Sequence, residues 1–83
     1  MSKHIDNIGV DAFAKAMKKK LAEKRKQGRG GWDDPKQCTV ESLCMMLSDH
    51  IKKADMVDIA NFAMMIWYRN QMLASAHAQG KVA

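Results

Sequence analysis

The chain has 83 residues, 47% of them hydrophobic and 28% charged, and its formal net charge is +5. A chain of this length forms one small domain with a limited core, and such domains often need disulfides, metals or partner subunits for stability. Two cysteines exclude a disulfide framework of the secreted kind, and no apolar run near the N-terminus indicates a signal peptide, so we expect a cytoplasmic protein.

The positive charge is concentrated in the first third of the chain. Residues 1–27 hold eight Lys and Arg against three acidic residues, whereas the charges of the remaining residues cancel. Such a segment can meet nucleic acid, an acidic protein surface or anionic lipid, or it can be a solvated face. The side chains that we expect to contact an anion or nucleic acid are Lys15, Lys18, Lys19, Arg25, Lys26 and Arg29, together with Trp32.

The first predicted element is an amphipathic helix over about residues 10–27. Its apolar residues recur three and four positions apart, with Asn7 or Gly9 as the expected N-cap and Gly28 as the C-terminal stop. One narrow apolar stripe with a single aromatic ring favours packing in a protein core over insertion into a membrane surface. The stripe consists of Val10, Phe13, Ala14, Met17 and Leu21.

A glycine-rich loop follows, with the sequence Gly28-Arg29-Gly30-Gly31-Trp32, and Asp34-Pro35 then opens a turn. Trp32 either docks on the core or faces a ligand. The cations around the loop and its glycine amides could hold a phosphate while Trp32 stacks on a base. The glycines match neither the Walker spacing nor the dinucleotide-binding spacing, so a loop that only shapes a turn remains the alternative.

Two further helices are predicted over about residues 40–53 and 56–76, with Thr39 and Asp55 as their N-caps. The turn between them is short, so they should form an antiparallel hairpin across which the first helix packs its apolar stripe. Residues 1–83 are therefore expected to be one all-α, three-helix domain, with a frayed tail over residues 77–83.

The third helix is more apolar than a helix with one buried face needs to be. Between Ile59 and Trp67 only Asn61 is polar, and the run is too short to span a bilayer. We expect it to be the central helix, with apolar surface that two neighbours cannot cover, and hence a homo-oligomer. The expected surface for self-association or partner binding comprises Met45, Met64, Trp67 and Tyr68.

No catalytic or metal-binding set stands out in the sequence. Cys38, Cys44 and His50 do not have a usual zinc spacing, and no base accompanies either thiol, so we expect no metal, no cofactor and no enzymatic activity. The pair Asp55 and Asp58 is a little similar to the acidic pairs of all-α nucleotide pyrophosphohydrolases of the MazG type. That likeness implies a degenerate nucleotide- or phosphate-binding module, because Cys44 stands where Glu41 would need an acidic partner.

The Gly-Arg-Gly-Gly-Trp loop at residues 28–32 and the Val-Asp-Ile-Ala-Asn-Phe helix at residues 57–62 resemble a short module of small tailed-phage and prophage proteins, over about residues 10–70. The resemblance implies a bacteriophage accessory protein in the cytoplasm of a bacterial host. By analogy it would bind a host or defence protein, in host takeover or anti-defence. A nucleic-acid-binding protein that uses the basic face of the first helix is the alternative.

Overall fold

A computed structural model describes the backbone of residues 4–78 and the side chains of residues 4–76. Within that range the chain forms three α-helices and no strands: α1 (Ile5–Lys26), α2 (Val40–Lys53) and α3 (Met56–Ala78). The prediction of an all-α, three-helix domain is confirmed. The helix α2 has the predicted bounds, and α3 continues two residues into the predicted tail, of which residues 79–83 lie outside the described residues.

The helix α1 begins five residues earlier than the sequence pattern indicates. Its N-cap is His4, whose Nδ1 accepts a hydrogen bond from the Asp6 backbone N–H at 3.0 Å, and not Asn7 or Gly9. The Asp6 carboxylate in this first turn interacts favourably with the positive end of the helix dipole. Gly9 therefore lies inside α1. An internal glycine lowers the stability of a helix by only about 1 kcal/mol relative to alanine, so α1 can contain it.

The C-terminal end of α1 has the hydrogen bonds of a Schellman motif. The Gly28 N–H donates to the Arg25 carbonyl, the Arg29 N–H donates to the Lys24 carbonyl, and Gly28 has a φ angle of +82°. This geometry confirms Gly28 as the stop that ends α1. The predicted tight turn between α2 and α3 is made by Ala54, which has a left-handed φ angle of +57°.

The helix α3 lies between the other two. The helix α2 runs antiparallel to it as a hairpin, and α1 packs along another side, where the Asn61 side-chain amide donates to the Met17 carbonyl at 3.3 Å. No Cα atom of α1 comes within 8 Å of a Cα atom of α2. The stripe of α1 thus packs on α3 rather than across the whole hairpin, and Phe13 remains 40% exposed.

The molecule is open for its size. Its radius of gyration is 15.0 Å, whereas a compact domain of this length has about 12 Å. Among the described residues, Leu43 and Met65 are the hydrophobic side chains that are buried. No helix in the described part of the chain is long and apolar enough to cross a membrane.

Candidate functional site

One side of α3 is left uncovered, and it is the side opposite the buried residues. Asn61 and Met65 are buried, and a residue two positions further along a helix lies about 200° around its axis. Ala63 and Trp67 consequently point outward, and Trp67 is 60% exposed. We call this side the outer face of α3, and it consists of Met56, Ala60, Ala63, Trp67, Asn70 and Ala74, all exposed except the half-buried Ala60.

The predicted association residues do not form a single patch. Trp67 lies on the outer face of α3, and the half-buried Met64 lies at its edge. Tyr68 is turned toward the loop, where its ring meets Trp32 edge-on at a centroid distance of 5.8 Å. Met45 is 68% exposed but points away from α3, because it lies two residues from the fully buried Leu43.

The inner side of α3 carries three buried polar residues, Asp58, Asn61 and Arg69. They follow helical spacing together with Met65, so they face the same way, and the sequence analysis missed this stripe. Its signal was available, because Asp58, Asn61 and Arg69 are three and eight positions apart, which places all three on one side of a helix. Two atoms of the stripe, Asp58 Oδ1 and Asn61 Oδ1, are buried without a hydrogen-bond partner.

Asp58 holds α1 and α2 against the start of α3. Its Oδ1 lies 3.7 Å from Lys20 Nζ and 3.8 Å from Lys24 Nζ, and its Oδ2 lies 3.7 Å from His50 Nε2. Lys20 also lies 3.7 Å from the carboxylate of Asp55, the N-cap of α3. Lys20 and Lys24 therefore form ion pairs within the chain, and neither belongs to the set predicted to contact an anion.

Arg69 fastens the glycine-rich loop to α3. Its Nη1 donates to the Trp32 carbonyl at 2.8 Å and to the Cys38 carbonyl at 2.7 Å. These bonds and the contact with Tyr68 hold Trp32 half-buried against α3, and the same residue also lines a cleft. Because the loop is tied down at this end, it forms a strap along the inner side of α3.

Beneath the strap lies a cleft of about 480 Å³, within the range of small-molecule sites. The side chains of Leu21, Leu43 and Phe62 contribute to its apolar lining. Five of the residues predicted to hold a phosphate also line it, whereas Lys26 does not. These are Arg25, Arg29, Gly30, Gly31 and Trp32, with Asp33, Asp58 and Lys24 as the other charged lining residues.

The remaining predicted cations form an exposed row on α1. Lys15, Lys18, Lys19 and Lys26 are all exposed, and the ion pairs within the described part of the chain are made by other residues. They lie outside the cleft, so the basic segment divides into two parts. One part lines the cleft through Arg25 and Arg29, and the other faces solvent.

The acidic residues do not assemble into a metal site. Glu41 lies in the first turn of α2, at the end of the hairpin away from the turn, whereas Asp55 and Asp58 lie at the turn. Asp55 is engaged as a cap, because its Oδ1 accepts from the Asp58 N–H at 3.1 Å. Across residues 4–76, no three His, Cys, Asp or Glu side chains are grouped as metal ligands would be.

Comparison with known proteins does not assign the chain to a family. No family model matches it, and no curated protein or solved structure matches it either. The function is therefore argued from the outer face of α3, the cleft and the basic row.

Proposed function

We propose that this protein is a non-enzymatic binding module that self-associates through the outer face of α3 and binds a macromolecular partner. The observation that carries the proposal is the exposure of a largely apolar surface on the helix that also forms the centre of the fold. Met56 and Trp67 are each 60% exposed there. Large exposed apolar patches on soluble proteins mark interaction sites.

The small core supports the same proposal. Burying a large aliphatic side chain contributes about 1.5–3 kcal/mol, and the described residues include two hydrophobic side chains that are buried, Leu43 and Met65. The other described apolar side chains of the three helices are half-buried or exposed, so each contributes less than full burial would. Apolar area buried in an oligomer would add to the stabilisation.

The basic row on α1 supports a partner with an acidic surface. Four exposed lysines on one segment raise the association rate with such a surface through their combined field. The phage resemblance suggests which partner this is: a host or defence protein met in the bacterial cytoplasm. Under this proposal the chain is a bacteriophage accessory protein.

The self-association is tested with Met64→Glu and Trp67→Glu, and Met45→Glu is the matched control on the far side of α2. We expect the native protein to have a solution mass that is a multiple of 9.3 kDa. The two α3 variants should lower it to that of one chain, because each places a charge on or beside an apolar contact. The control should keep the native mass. If both α3 variants remain folded with the native mass, the outer face is not the contact.

A second candidate function, binding of a nucleotide or another phosphate compound, is supported by the cleft. Arg25 and Arg29 supply the positive charge beside an apolar interior of suitable volume. A nucleoside triphosphate, with or without magnesium, should then stabilise the protein by about 2.7 kcal/mol at a hundred times its dissociation constant. The double variant Arg25→Gln, Arg29→Gln should abolish the effect. The equally charged double variant Lys18→Gln, Lys26→Gln should not, because these lysines lie outside the cleft.

Nucleic-acid binding predicts a different dependence, because both double variants remove cations from the set predicted to contact phosphates and both should weaken it. The exposed lysines would contact phosphates, so Lys18→Gln, Lys26→Gln should weaken binding. The logarithm of the binding constant should fall with the logarithm of salt concentration at a slope of about −0.9 per phosphate contact. Absence of binding at low ionic strength would exclude this function.

A further inference from the structure

The geometry points to one occupant of the outer face of α3: the same face of a second copy of this chain, packed antiparallel so that Ala63 of each copy meets Trp67 of the other. The inference rests on the self-association proposed above and specifies its surface, orientation and register.

The spacing of the outer face is that of a coiled-coil seam. Its six residues follow one another at intervals of four, three, four, three and four, and apolar residues repeating every 3.5 positions on average drive helices to pair along a seam. The seam spans most of α3, from Met56 to Ala74. Asn70 is its one polar member, and it lies near the C-terminal end of the seam.

The charge distribution favours a second copy over a charged partner. From residue 56 to residue 76 the charged side chains are Asp58 and Arg69, and both are buried on the inner side of α3. The outer face therefore has no charge that a different partner could complement. Two identical uncharged faces can meet without electrostatic repulsion. Two copies of the basic row of α1 would repel each other.

The surface area agrees with a dimer. The accessible surface is 6508 Å², about 1,500 Å² more than a compact protein of this mass exposes. A stable pair of proteins buries about 800 Å² on each partner, so one more contact of ordinary size fits within this excess.

Side-chain size selects the antiparallel orientation. In that orientation residues whose numbers add to 130 lie opposite each other, and each large side chain meets a small one. Trp67 then covers Ala63, Met56 covers Ala74, and Asn70 lies against Ala60. A parallel pair would instead place Trp67 against Trp67 and Met56 against Met56, with gaps at the alanines between them, and gaps between packed helices are destabilising.

Disulfide cross-linking tests the register. In a background of Cys38→Ser and Cys44→Ser, three proteins are oxidised at low concentration: Ala60→Cys, Asn70→Cys, and the double variant with both changes. We expect the double variant to form a covalent dimer. Each single variant should remain unlinked, because its two thiols would lie about 15 Å apart, beyond the reach of a disulfide. Circular dichroism of each reduced variant confirms that the helices are retained.

Each result decides between specific possibilities. Cross-linking of the single variants would show a parallel pair and overturn the inference. A native mass of two chains without any cross-link would overturn the orientation and register inferred here, and the masses of Met64→Glu and Trp67→Glu would then decide separately whether the outer face is the contact. A native mass of one chain at all concentrations would overturn both. Cross-linking confined to the double variant supports the inference.

Discussion

Besides Gly28, two residues with left-handed backbone angles set the path of the chain outside the helices. Gly31, in the strap, has a φ angle of +82°, and a Cβ atom there would collide with the side chain of Gln37. Ala54, in the turn between α2 and α3, has a φ angle of +57° although it carries a Cβ. The first position suits its residue and the second does not, so substitutions should have opposite effects.

Gly31→Ala should destabilise the protein by about 1–2 kcal/mol, because an L-residue with a side chain is strained in this region of backbone space. Gly30 is the matched control, since a Cβ atom there would meet nothing within 4 Å and its φ angle is not positive. Gly30→Ala should change the unfolding free energy by less than about 0.5 kcal/mol. Urea denaturation of the two variants measures both values, and equal effects would show that the strap does not have this conformation.

Ala54→Gly should stabilise the protein by about 0.5–1 kcal/mol, because glycine adopts the left-handed conformation without steric strain. For a domain of this size, the increase in Tm is several degrees. The same substitution at an exposed position inside α1, Ala12→Gly, should instead lower stability by about 1 kcal/mol. A decrease in Tm for Ala54→Gly would mean that the turn is made by different backbone angles.

The three helices were predictable because their signals are local. Apolar spacing, the caps Thr39 and Asp55, and the Gly28 stop lie within the elements that they define, and the structure places all of them as predicted. The predicted start of α1 was wrong, because His4 is an uncommon cap and Gly9 is tolerated inside the helix.

The candidate site was predictable only in part because it depends on contacts between distant residues. Arg69 reaches a carbonyl 37 positions away at Trp32, and Asn61 reaches one 44 positions away at Met17. No local pattern indicates such pairs. The loop residues named as phosphate ligands could therefore be listed from the sequence, but the cleft that they line could not.

Two carboxylates that hold the turns together make stability depend on acid pH. Asp34 Oδ1 accepts from the Lys36 N–H at 2.9 Å, and this bond, the Gln37 amide and the charge of Arg69 hold the pKa of Asp34 below its usual value of 3.8. The Asp58 N–H has the same effect on the pKa of Asp55. Both side chains bind protons less readily when the protein is folded.

Stability should therefore fall as the pH drops below about 4, since the unfolded chain takes up protons that the folded chain resists. The contribution of these two carboxylates to stability is complete above their pKa in the unfolded chain. It is lost as the pH falls through their lower pKa in the folded chain. The double variant Asp34→Asn, Asp55→Asn keeps an oxygen acceptor at both positions but cannot titrate. Urea denaturation between pH 6 and pH 3 should show a shallower decline for it than for the native chain. Parallel declines would contradict the assignment.

At the scale of the whole molecule, the proposed self-association would account for both the open shape and the small core. The helix α3 contacts α1 and α2 and supports the strap, yet its outer face is uncovered and the radius of gyration is 15.0 Å. A second copy on that face would convert the most exposed surface of the central helix into core. Folding and association would then be a single equilibrium.

The thermal stability of the native protein should accordingly depend on its concentration, because a dimer that unfolds to separate chains is favoured by mass action. With an unfolding enthalpy of about 0.7 kcal/mol per residue, Tm should rise by about 4 °C for each tenfold increase in concentration. Calorimetry over a hundredfold range of concentration measures this slope. Met45→Glu should retain it, because that side chain lies away from α3, whereas Trp67→Glu should have a lower Tm that does not change with concentration. A native Tm that is constant over the whole range would show that the single chain is the folding unit and that the outer face of α3 does not contribute to stability.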